Sequence, residues 1–192
     1  MKPEIILASK SPRRLEIFRM FSLDPTVAVS NADETVEEGL SPDKTVERIS
    51  RIKGEAVKKL YSDNVRVVSA DTIVWHGGKA LGKPRGRQEA IEMLSSMSGM
   101  AHQVWTGYTV FYRGRVISRS VRTDVVFKRL EPSEIEKYVD SGAPFDKAGG
   151  YGAQGPAAVF IEKIDGDFFN VVGFPLSDFY DCVKNELGID LM

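Results

Sequence analysis

Apolar and polar positions along this chain repeat in two ways, and together they predict a mixture of strands and helices. Short apolar runs bounded by turn residues predict strands, whereas apolar residues spaced three and four apart predict helices. The predicted strands are Glu4–Ala8, Val65–Trp75, Lys79–Leu81, Val104–Tyr112, Val116–Leu130, Ala157–Ile164 and Phe168–Gly173. The predicted helices are Ser11–Phe21, Ser41 to about Tyr61, Arg87–Met97, Pro132–Ser141 and Ser177–Leu187.

Glycine-containing turns separate these elements. Hairpins are predicted where two turn residues lie between β-favouring runs, at Gly77-Gly78, Arg113-Gly114 and Asp165-Gly166. Three predicted helices stop at a glycine, namely Gly99, Gly142 and Gly188. Because hairpins and single strands are interspersed with helices, the pattern indicates an α/β protein with a mixed sheet rather than a purely parallel one.

The length and composition are those of an ordinary soluble domain. The chain has 192 residues, of which 42% are apolar and 28% charged, enough for one substantial core or for two lobes that share a cleft. It contains no repeat or linker, so we expect one compact unit spanning residues 1–192. It also lacks an apolar run of signal-peptide length or of the roughly 20 residues that a membrane helix needs. The expected location is therefore cytoplasmic, without a membrane partner.

Charge and metal-binding residue types narrow the function. A net charge of −1 provides no basic field for a long nucleic acid, although local clusters can bind small anions. The single cysteine, Cys182, excludes an intrachain disulfide framework and is expected to be a buried structural thiol. With only two histidines, any metal is expected to be a hard ion such as Mg²⁺ or Mn²⁺ on carboxylates and phosphates.

The first strand runs into a cationic helix start. Ser11 and Pro12 occupy the positions of a helix N-cap and first helical residue, and Arg13 and Arg14 follow directly. Free backbone N–H groups and arginine forks attract phosphate oxygens. The segment is therefore either a phosphate site or an ordinary turn with solvated arginines.

Two charged residues fall where apolar ones are expected. Lys53 completes the apolar spacing of Val46, Ile49, Ala56 and Leu60 in the second helix, so it either extends its stem along the core or points into a phosphate cleft. Asp71 interrupts a strand-forming run and needs a partner if buried, such as a metal ion, a lysine or a substrate group. Alternatively, it lies at a strand end that faces water.

A glycine-rich segment, Asp146–Gly155, combines backbone freedom with a carboxylate, an ammonium, a phenol and an amide. This combination favours a binding loop over a merely flexible one. Lys83 adds another cation after the first hairpin, whereas Glu34 and His102 are individually unremarkable, an exposed loop acid and a strand residue. Nucleophile triads and dinucleotide or Walker glycine patterns are absent. The remaining cations and acids suit phosphoryl transfer.

Six sequence blocks, taken in order, closely resemble the Maf family of nucleoside triphosphate pyrophosphatases. They span nearly the whole chain and lie at residues 9–14, 69–74, 81–84, 102–107, 146–155 and 171–175. The resemblance implies an elongated mixed sheet with helices on both sides and a central cleft, similar to inosine triphosphate pyrophosphatases. It also implies metal-dependent hydrolysis of a nucleoside triphosphate to monophosphate and pyrophosphate, in a house-cleaning role if the substrates are modified nucleotides, and a homodimer.

The resemblance also assigns roles to individual residues. Asp71 matches the family's proton acceptor, and with Glu34 it is a candidate ligand of the metal ion. The expected substrate-binding residues are Ser9, Arg13, Arg14, Lys53 and Lys83. Arg13, Thr72 and Gln154 match the branch that prefers dTTP and UTP. Two loop positions depart from the common pattern, because Gly150 and Ala153 stand where alanine and isoleucine are usual.

The sequence leaves two other classes of function open. A non-catalytic nucleotide-binding regulator of septum formation would need the same cations but no base, so Asp71 counts against it. A nucleic-acid-binding module is disfavoured by the net charge of −1.

Overall fold

The computed structural model describes residues 4–32, 34–35 and 39–191, and these form a mixed α/β fold. The strands are β1 (Ile5–Ala8), β2 (Thr26–Val27), β3 (Arg66–His76), β4 (Lys79–Leu81), β5 (Ala101–Tyr112), β6 (Arg115–Phe127) and β7 (Ile161–Asp165). The helices are α1 (Pro12–Met20), α2 (Pro42–Lys58), α3 (Arg87–Met97), α4 (Pro132–Asp140), α5 (Phe168–Val172) and α6 (Leu176–Leu187). Short 3₁₀ turns lie at Ala143–Asp146, Ala148–Gly150 and Pro156–Phe160.

One sheet of seven strands organises the described residues. Its order is β2-β1-β3-β5-β6-β7, and β4 pairs with β3 off this path. Strand β1 runs parallel to β2 and β3, whereas the pairs β3–β4 and β6–β7 are antiparallel. The predicted α/β class with a mixed sheet is therefore confirmed.

The chain divides into two compact units, each with its own core. The first comprises Met1–Asp71, Thr106–Val121 and Gly173–Met192, and the second comprises Thr72–Trp105 and Arg122–Val172. In the first unit, Ile6, Ala8, Val57, Val67 and Phe111 form a buried cluster. The second unit buries a cluster that includes Leu94, Met97, Phe127, Tyr138 and Phe160.

Most predicted elements are confirmed, and local chemistry explains why. Helices α1 and α2 begin at Pro12 and Pro42, each directly after a serine in the N-cap position. Proline is favoured there because its fixed φ suits a helix and its missing N–H is not needed. The turn between β5 and β6 places both Arg113 and Gly114 at positive φ, as a tight hairpin requires.

The strand predicted at Phe168–Gly173 is wrong, because residues 168–172 form helix α5. The Asp167 carboxylate accepts a hydrogen bond from the Phe169 N–H at 2.7 Å and so starts the helix. The buried Asn170 amide then donates to the Val104 carbonyl and the Thr123 hydroxyl. The predicted Asp165-Gly166 hairpin is also wrong, since this turn connects β7 to α5.

Two further strand predictions need correction. The run Ala157–Ile164 begins as a 3₁₀ turn, and β7 starts only at Ile161. The short strand β2 has no counterpart among the predictions. With two exposed residues paired to the edge of β1, it carries too little apolar pattern to be recognised.

Helix α2 approaches the sheet unusually closely. A Cβ added to Gly54 would overlap the Phe111 ring and lie 2.5 Å from the Ser69 hydroxyl oxygen. On the strand side, a Cβ at Gly107 would lie 2.5 Å from the Val46 carbonyl oxygen. Glycine on both surfaces therefore brings the backbone of α2 against the sheet. This packing sets the position of Lys53, the residue before Gly54.

Two further expectations concern the burial of Cys182 and membrane-spanning helices. Cys182 is fully buried on α6, which confirms the structural thiol. No helix within the described residues combines the length and apolar character needed to cross a membrane.

Candidate active site

The turn between β1 and α1 is shaped by the hydroxyl of Ser9. This oxygen accepts the Ser11 N–H at 3.1 Å and one Nη–H of Arg14, also at 3.1 Å. Ser11 stands at the N-cap, yet its own side chain makes no capping bond. The hydroxyl of Ser9 thus takes over part of the capping that the sequence pattern assigned to Ser11, and holds the turn in a defined conformation.

Arg14 is buried and joins the turn to a distant part of the first unit. Its Nε donates to the Gly173 carbonyl at 2.8 Å. Burial lowers the pKa of the guanidinium, and the nearby Asp71 carboxylate opposes that shift. Since arginine stays protonated in proteins, Arg14 places a fixed positive charge close to Asp71.

Aromatic packing also stabilises the connection between helix α1 and the segment that contains Gly173. The Phe18 ring on α1 lies 4.8 Å from the Phe174 ring and 5.6 Å from the Phe179 ring, between centroids. Phe174 follows Gly173 directly, so the carbonyl that accepts from Arg14 is anchored by a fully buried ring. The sequence block at 171–175 therefore contributes to the site by positioning α1.

Lys53 connects two carboxylates. Its ammonium lies 2.7 Å from Asp71 Oδ1 and 3.0 Å from Glu34 Oε2. The side chains of Lys53 and Asp71 are 13% and 14% exposed, whereas that of Glu34 is 52% exposed. A partly buried cation thus offsets the charge of Asp71, and Glu34 is brought to the same point from a loop.

This arrangement supplies a partner for Asp71, whereas the role of Lys53 toward phosphate stays a prediction. Of the candidate partners for the Asp71 carboxylate, the structure supplies a lysine. Lys53 is confirmed on the inward side of α2, but Leu60 is not, since it is 75% exposed. The buried face of α2 ends at Val57, because the helix itself ends at Lys58 and Leu60 lies beyond it.

Arg13 is half-buried and lies near enough to Arg14 for its charge to contribute to lowering the Arg14 pKa. Two like charges this close to each other favour an anion in their vicinity. Arg13, Arg14 and Lys53 therefore form, together with Asp71 and Glu34, a charged cluster within the first unit.

The remaining predicted site residues belong to the second unit. Thr72 follows Asp71 in β3 and is half-buried. Lys83 is exposed in the segment after β4, and Gln154 is exposed just before the 3₁₀ turn at Pro156–Phe160.

His102 is confirmed as a strand residue, in β5, and it is buried. Its Nε2 lies 2.7 Å from the Tyr151 hydroxyl. Burial lowers the pKa of the imidazole to about 4, with a smaller contribution from the nearby His76. The ring is therefore neutral at physiological pH.

The profile of the family described as Maf-like protein matches residues 4–186. The chain belongs to the Maf family. A dTTP/UTP pyrophosphatase of Desulforamulus reducens is 46% identical to it over 100% of both chains. The dTTP/UTP pyrophosphatase of Thermosipho africanus is 44% identical, covering 97% of this chain and 95% of its own.

The similarity of the chain to solved structures is weaker than its similarity to these relatives. A dITP/XTP pyrophosphatase from Mycobacterium abscessus matches 96% of this Maf-family chain and 97% of its own, with 13% identity and a TM-score of 0.44. The strand order given above describes the fold of the chain independently of this likeness.

Sequence reasoning missed several residues that build the site of this Maf-family chain. Gly173 acts through its carbonyl group, which no side-chain pattern reveals. Gly54 had a detectable signal, because a glycine inside an amphipathic helix costs stability and usually has a packing reason. The pairing of His102 with Tyr151 had none, since the two residues are 49 positions apart in sequence.

Proposed function

We propose that this chain is a nucleoside triphosphate pyrophosphatase that hydrolyses dTTP and UTP to the monophosphate and pyrophosphate. The observation that carries the proposal is the convergence of Glu34 and Asp71 on the Lys53 ammonium, with the charge of Arg14 close to Asp71. A carboxylate surrounded by fixed cations suits an anionic substrate and an attacking water. Relatives at 40–46% identity, named dTTP/UTP pyrophosphatases, support the same reaction.

The residues of the cluster fit a divalent metal ion. Glu34 and Asp71 place carboxylate oxygens within 3.0 Å of one positively charged atom, so both can reach a single cation. Within the described residues, no group of three or more His, Cys, Asp or Glu is arranged for a metal. Two carboxylates completed by substrate phosphates and water are a usual set for Mg²⁺ or Mn²⁺. Such an ion would supply charge neutralisation on the phosphate oxygens.

Asp71 is the proposed base. It orients a water molecule and accepts a proton from it as the water oxygen bonds to the α-phosphorus. The bond between the α-phosphorus and the bridging oxygen breaks, and pyrophosphate leaves with the electron pair of that bond. Lys53, bonded to Asp71 in the structure at 2.7 Å, holds the carboxylate in place and brings positive charge to the reacting phosphate.

The cations are proposed to have two further roles, binding the triphosphate and positioning the site. Arg13, Lys53 and Lys83 bind triphosphate oxygens, for which their charge and donors are suited. Arg14 donates to both Ser9 and the Gly173 carbonyl, so Ser9 contributes mainly by holding the turn, and Arg14 by holding the turn and by its charge. A buried arginine that is already oriented stabilises negative charge without further reorganisation.

Selectivity for the base is proposed to depend on Arg13, Thr72 and Gln154. The exposed amide of Gln154 offers one donor and one acceptor, which match the O4 and N3–H edge that uracil and thymine share. Cytosine reverses this pattern. Polar groups left unpaired by the wrong base discriminate strongly.

Product analysis over a panel of nucleotides tests the proposal. The purified protein is incubated with Mg²⁺ or Mn²⁺ and each triphosphate, and pyrophosphate and orthophosphate are assayed separately. We expect monophosphate and pyrophosphate, fastest from dTTP and UTP, slower from CTP and slowest from ATP and GTP. Excess chelator should abolish the activity.

The possible outcomes separate the parts of the proposal. Diphosphate and orthophosphate as first products would overturn cleavage between the α and β phosphates. Activity that survives in excess chelator would overturn the metal requirement. GTP or a methylated GTP as the best substrate would overturn the assignment to the pyrimidine-preferring branch and leave the pyrophosphatase assignment in place.

A further inference from the structure

The glycine-rich loop, residues 146–155, contains a tyrosine that points into the protein. Tyr151 is 5% exposed and His102 is 3% exposed. Their hydrogen bond joins the Tyr151 hydroxyl to His102 Nε2 at 2.7 Å. The rings of Tyr151 and His102 each lie 4.8 Å from the Phe127 ring, edge to face. The loop is thus anchored to strand β5 by a polar bond inside an aromatic cluster.

A backbone hydrogen bond and a close approach to β3 fix the first part of the same loop. The Gly149 N–H donates to the Gly82 carbonyl at 2.9 Å, which ties the loop to the residue before Lys83. Gly149 has a φ of +66°, and a Cβ there would lie 2.9 Å from a methyl carbon of Val74. Glycine at this position therefore allows the loop to lie directly on β3.

Lys147 supports the loop from its inner side. Its ammonium donates to the Ala143 carbonyl at 2.7 Å. A Cβ at Gly152 would lie 2.9 Å from Lys147 Cε, so the lysine stem fills the space that a side chain at 152 would occupy. The backbone on either side of Tyr151 is consequently held by specific contacts.

Gln154 follows this anchored segment directly. Its side chain is exposed, whereas Ala153 before it and Ala157 after it are buried. The backbone that carries Gln154 therefore lies between buried residues, and Tyr151 on its N-terminal side is held by a side-chain hydrogen bond to the sheet.

We propose that His102 and Tyr151 are positioning residues for base selectivity, because their hydrogen bond fixes the loop that presents Gln154. The inference rests on the proposed function, in which Gln154 reads the base. Both side chains are buried and act through the loop rather than on the substrate. A backbone held in one place limits the positions and orientations that the Gln154 amide can take toward a base, and orientation is what separates uracil and thymine from cytosine.

The test is the ratio of kcat/KM for dTTP to kcat/KM for CTP in Tyr151→Phe. Phenylalanine keeps the ring contacts with Phe127 and removes the hydrogen bond. We expect the ratio to fall by about five-fold, the effect of one lost hydrogen bond. The matched control is Tyr138→Phe, which removes a phenol from the same hydrophobic core but not from the loop. Because a ratio within one preparation does not depend on the folded fraction, a purely structural role would leave it unchanged.

A second variant tests whether the two residues act together. His102→Phe should lower the same ratio, and the double variant should lower it no further than either single one, since both remove one bond. An unchanged ratio in Tyr151→Phe, or additive losses in the double variant, would overturn the positioning role while leaving the proposed function intact. A wild-type protein that releases no pyrophosphate from any nucleotide would instead overturn the proposed function and this inference with it.

Discussion

At the scale of single residues, Asp71 is distinguished by the charges around it. It bonds Lys53 directly, and Arg14 is close enough for its pKa to be affected by the carboxylate. Two cations of different kinds thus offset the cost of placing a carboxylate in a strand. The same cations would attract a triphosphate, so the arrangement links the stability of the site to its proposed chemistry.

Asp71→Asn should remove the base and keep the shape of the side chain. We expect kcat for dTTP to fall by about 100-fold or more, the usual contribution of an acid–base group. The protein should still fold, because an amide oxygen can accept the Lys53 hydrogen bond. Steady-state kinetics and a thermal melt followed by circular dichroism measure the two effects.

Asp140→Asn is the matched control for this substitution, because Asp140 pairs with Arg87 at the exposed end of α4. Such surface pairs contribute little to stability, and we expect its turnover to equal that of the wild type. Turnover near the wild-type value in Asp71→Asn would identify Asp71 as a structural strand residue.

Lys53→Met should impair substrate handling by removing a cation while keeping the stem. We expect kcat/KM for dTTP to fall by about 10- to 100-fold, the range for a lost hydrogen bond to a charged group. Lys44→Met is the control, since Lys44 lies exposed on the same helix and pairs with Glu47 at 2.9 Å. Both variants should melt at similar temperatures. A sharply lower melting temperature with normal kinetics in Lys53→Met would make Lys53 a purely structural partner.

At the scale of secondary-structure elements, the close packing of α2 on the sheet decides where Lys53 lies. Glycines lie on both sides of the contact, and hydroxyl groups form hydrogen bonds across it. The Ser69 hydroxyl donates to the Ser50 carbonyl at 2.6 Å, and the Ser50 and Thr109 hydroxyls lie 2.9 Å apart. These bonds require the short distance between helix and sheet that Gly54 permits.

Gly54→Ala should therefore destabilise the protein, although alanine is the better helix former. Overpacking costs about 1–3 kcal/mol, and the gain in helix propensity offsets about 1 kcal/mol at most. Displacement of α2 also moves Lys53, so kcat/KM should fall with stability. Denaturant unfolding and kinetics at matched folded fraction measure both.

Gly86→Ala provides the comparison for Gly54→Ala, because a Cβ at Gly86 would meet nothing within 4 Å. We expect this variant to retain wild-type kinetics. A gain in stability with normal activity in Gly54→Ala would mean that the helix can shift without consequence, and the close contact would then not determine the site.

At the scale of the whole molecule, His102 links global stability to pH. Its pKa is about 4 in the folded protein, against an ordinary value of 6.5. Between these values the unfolded chain binds more protons than the folded one, so the free energy of unfolding decreases as the pH falls from 6.5 to 4. The loss should reach about 3 kcal/mol, at 1.36 kcal/mol for each pKa unit.

Denaturant unfolding at several pH values checks this expectation. The His102→Gln variant keeps a polar group near Tyr151 but cannot titrate, so its stability should depend less steeply on pH over this interval. His76→Gln removes the other histidine, keeps His102 and is the matched control. Equal slopes in the wild type and His102→Gln would show that other groups control the acid sensitivity.

Much of the fold follows from signals that act over a few residues. Proline after serine starts α1 and α2, and glycine at positive φ follows α3 at Gly99 and α4 at Gly142. These preferences depend on local sterics and on backbone hydrogen bonding, and so they can be recognised in the sequence. The run at 168–172 was mispredicted because its β-favouring side chains were overridden by the Asp167 cap and by the burial of Asn170.

The features of the candidate site also fall into two groups, those that the sequence reveals and those that depend on the tertiary structure. The sequence by itself determined which charged residues stand at unusual positions, and their order identified the family. Only the tertiary structure decided that Lys53 pairs with Asp71, 18 positions away, and that Arg14 donates to the Gly173 carbonyl, 159 positions away. Such pairings have no local signature, because they depend on how closely packed elements approach each other. For Lys53 and Asp71, the glycines at 54 and 107 set the distance between α2 and the sheet.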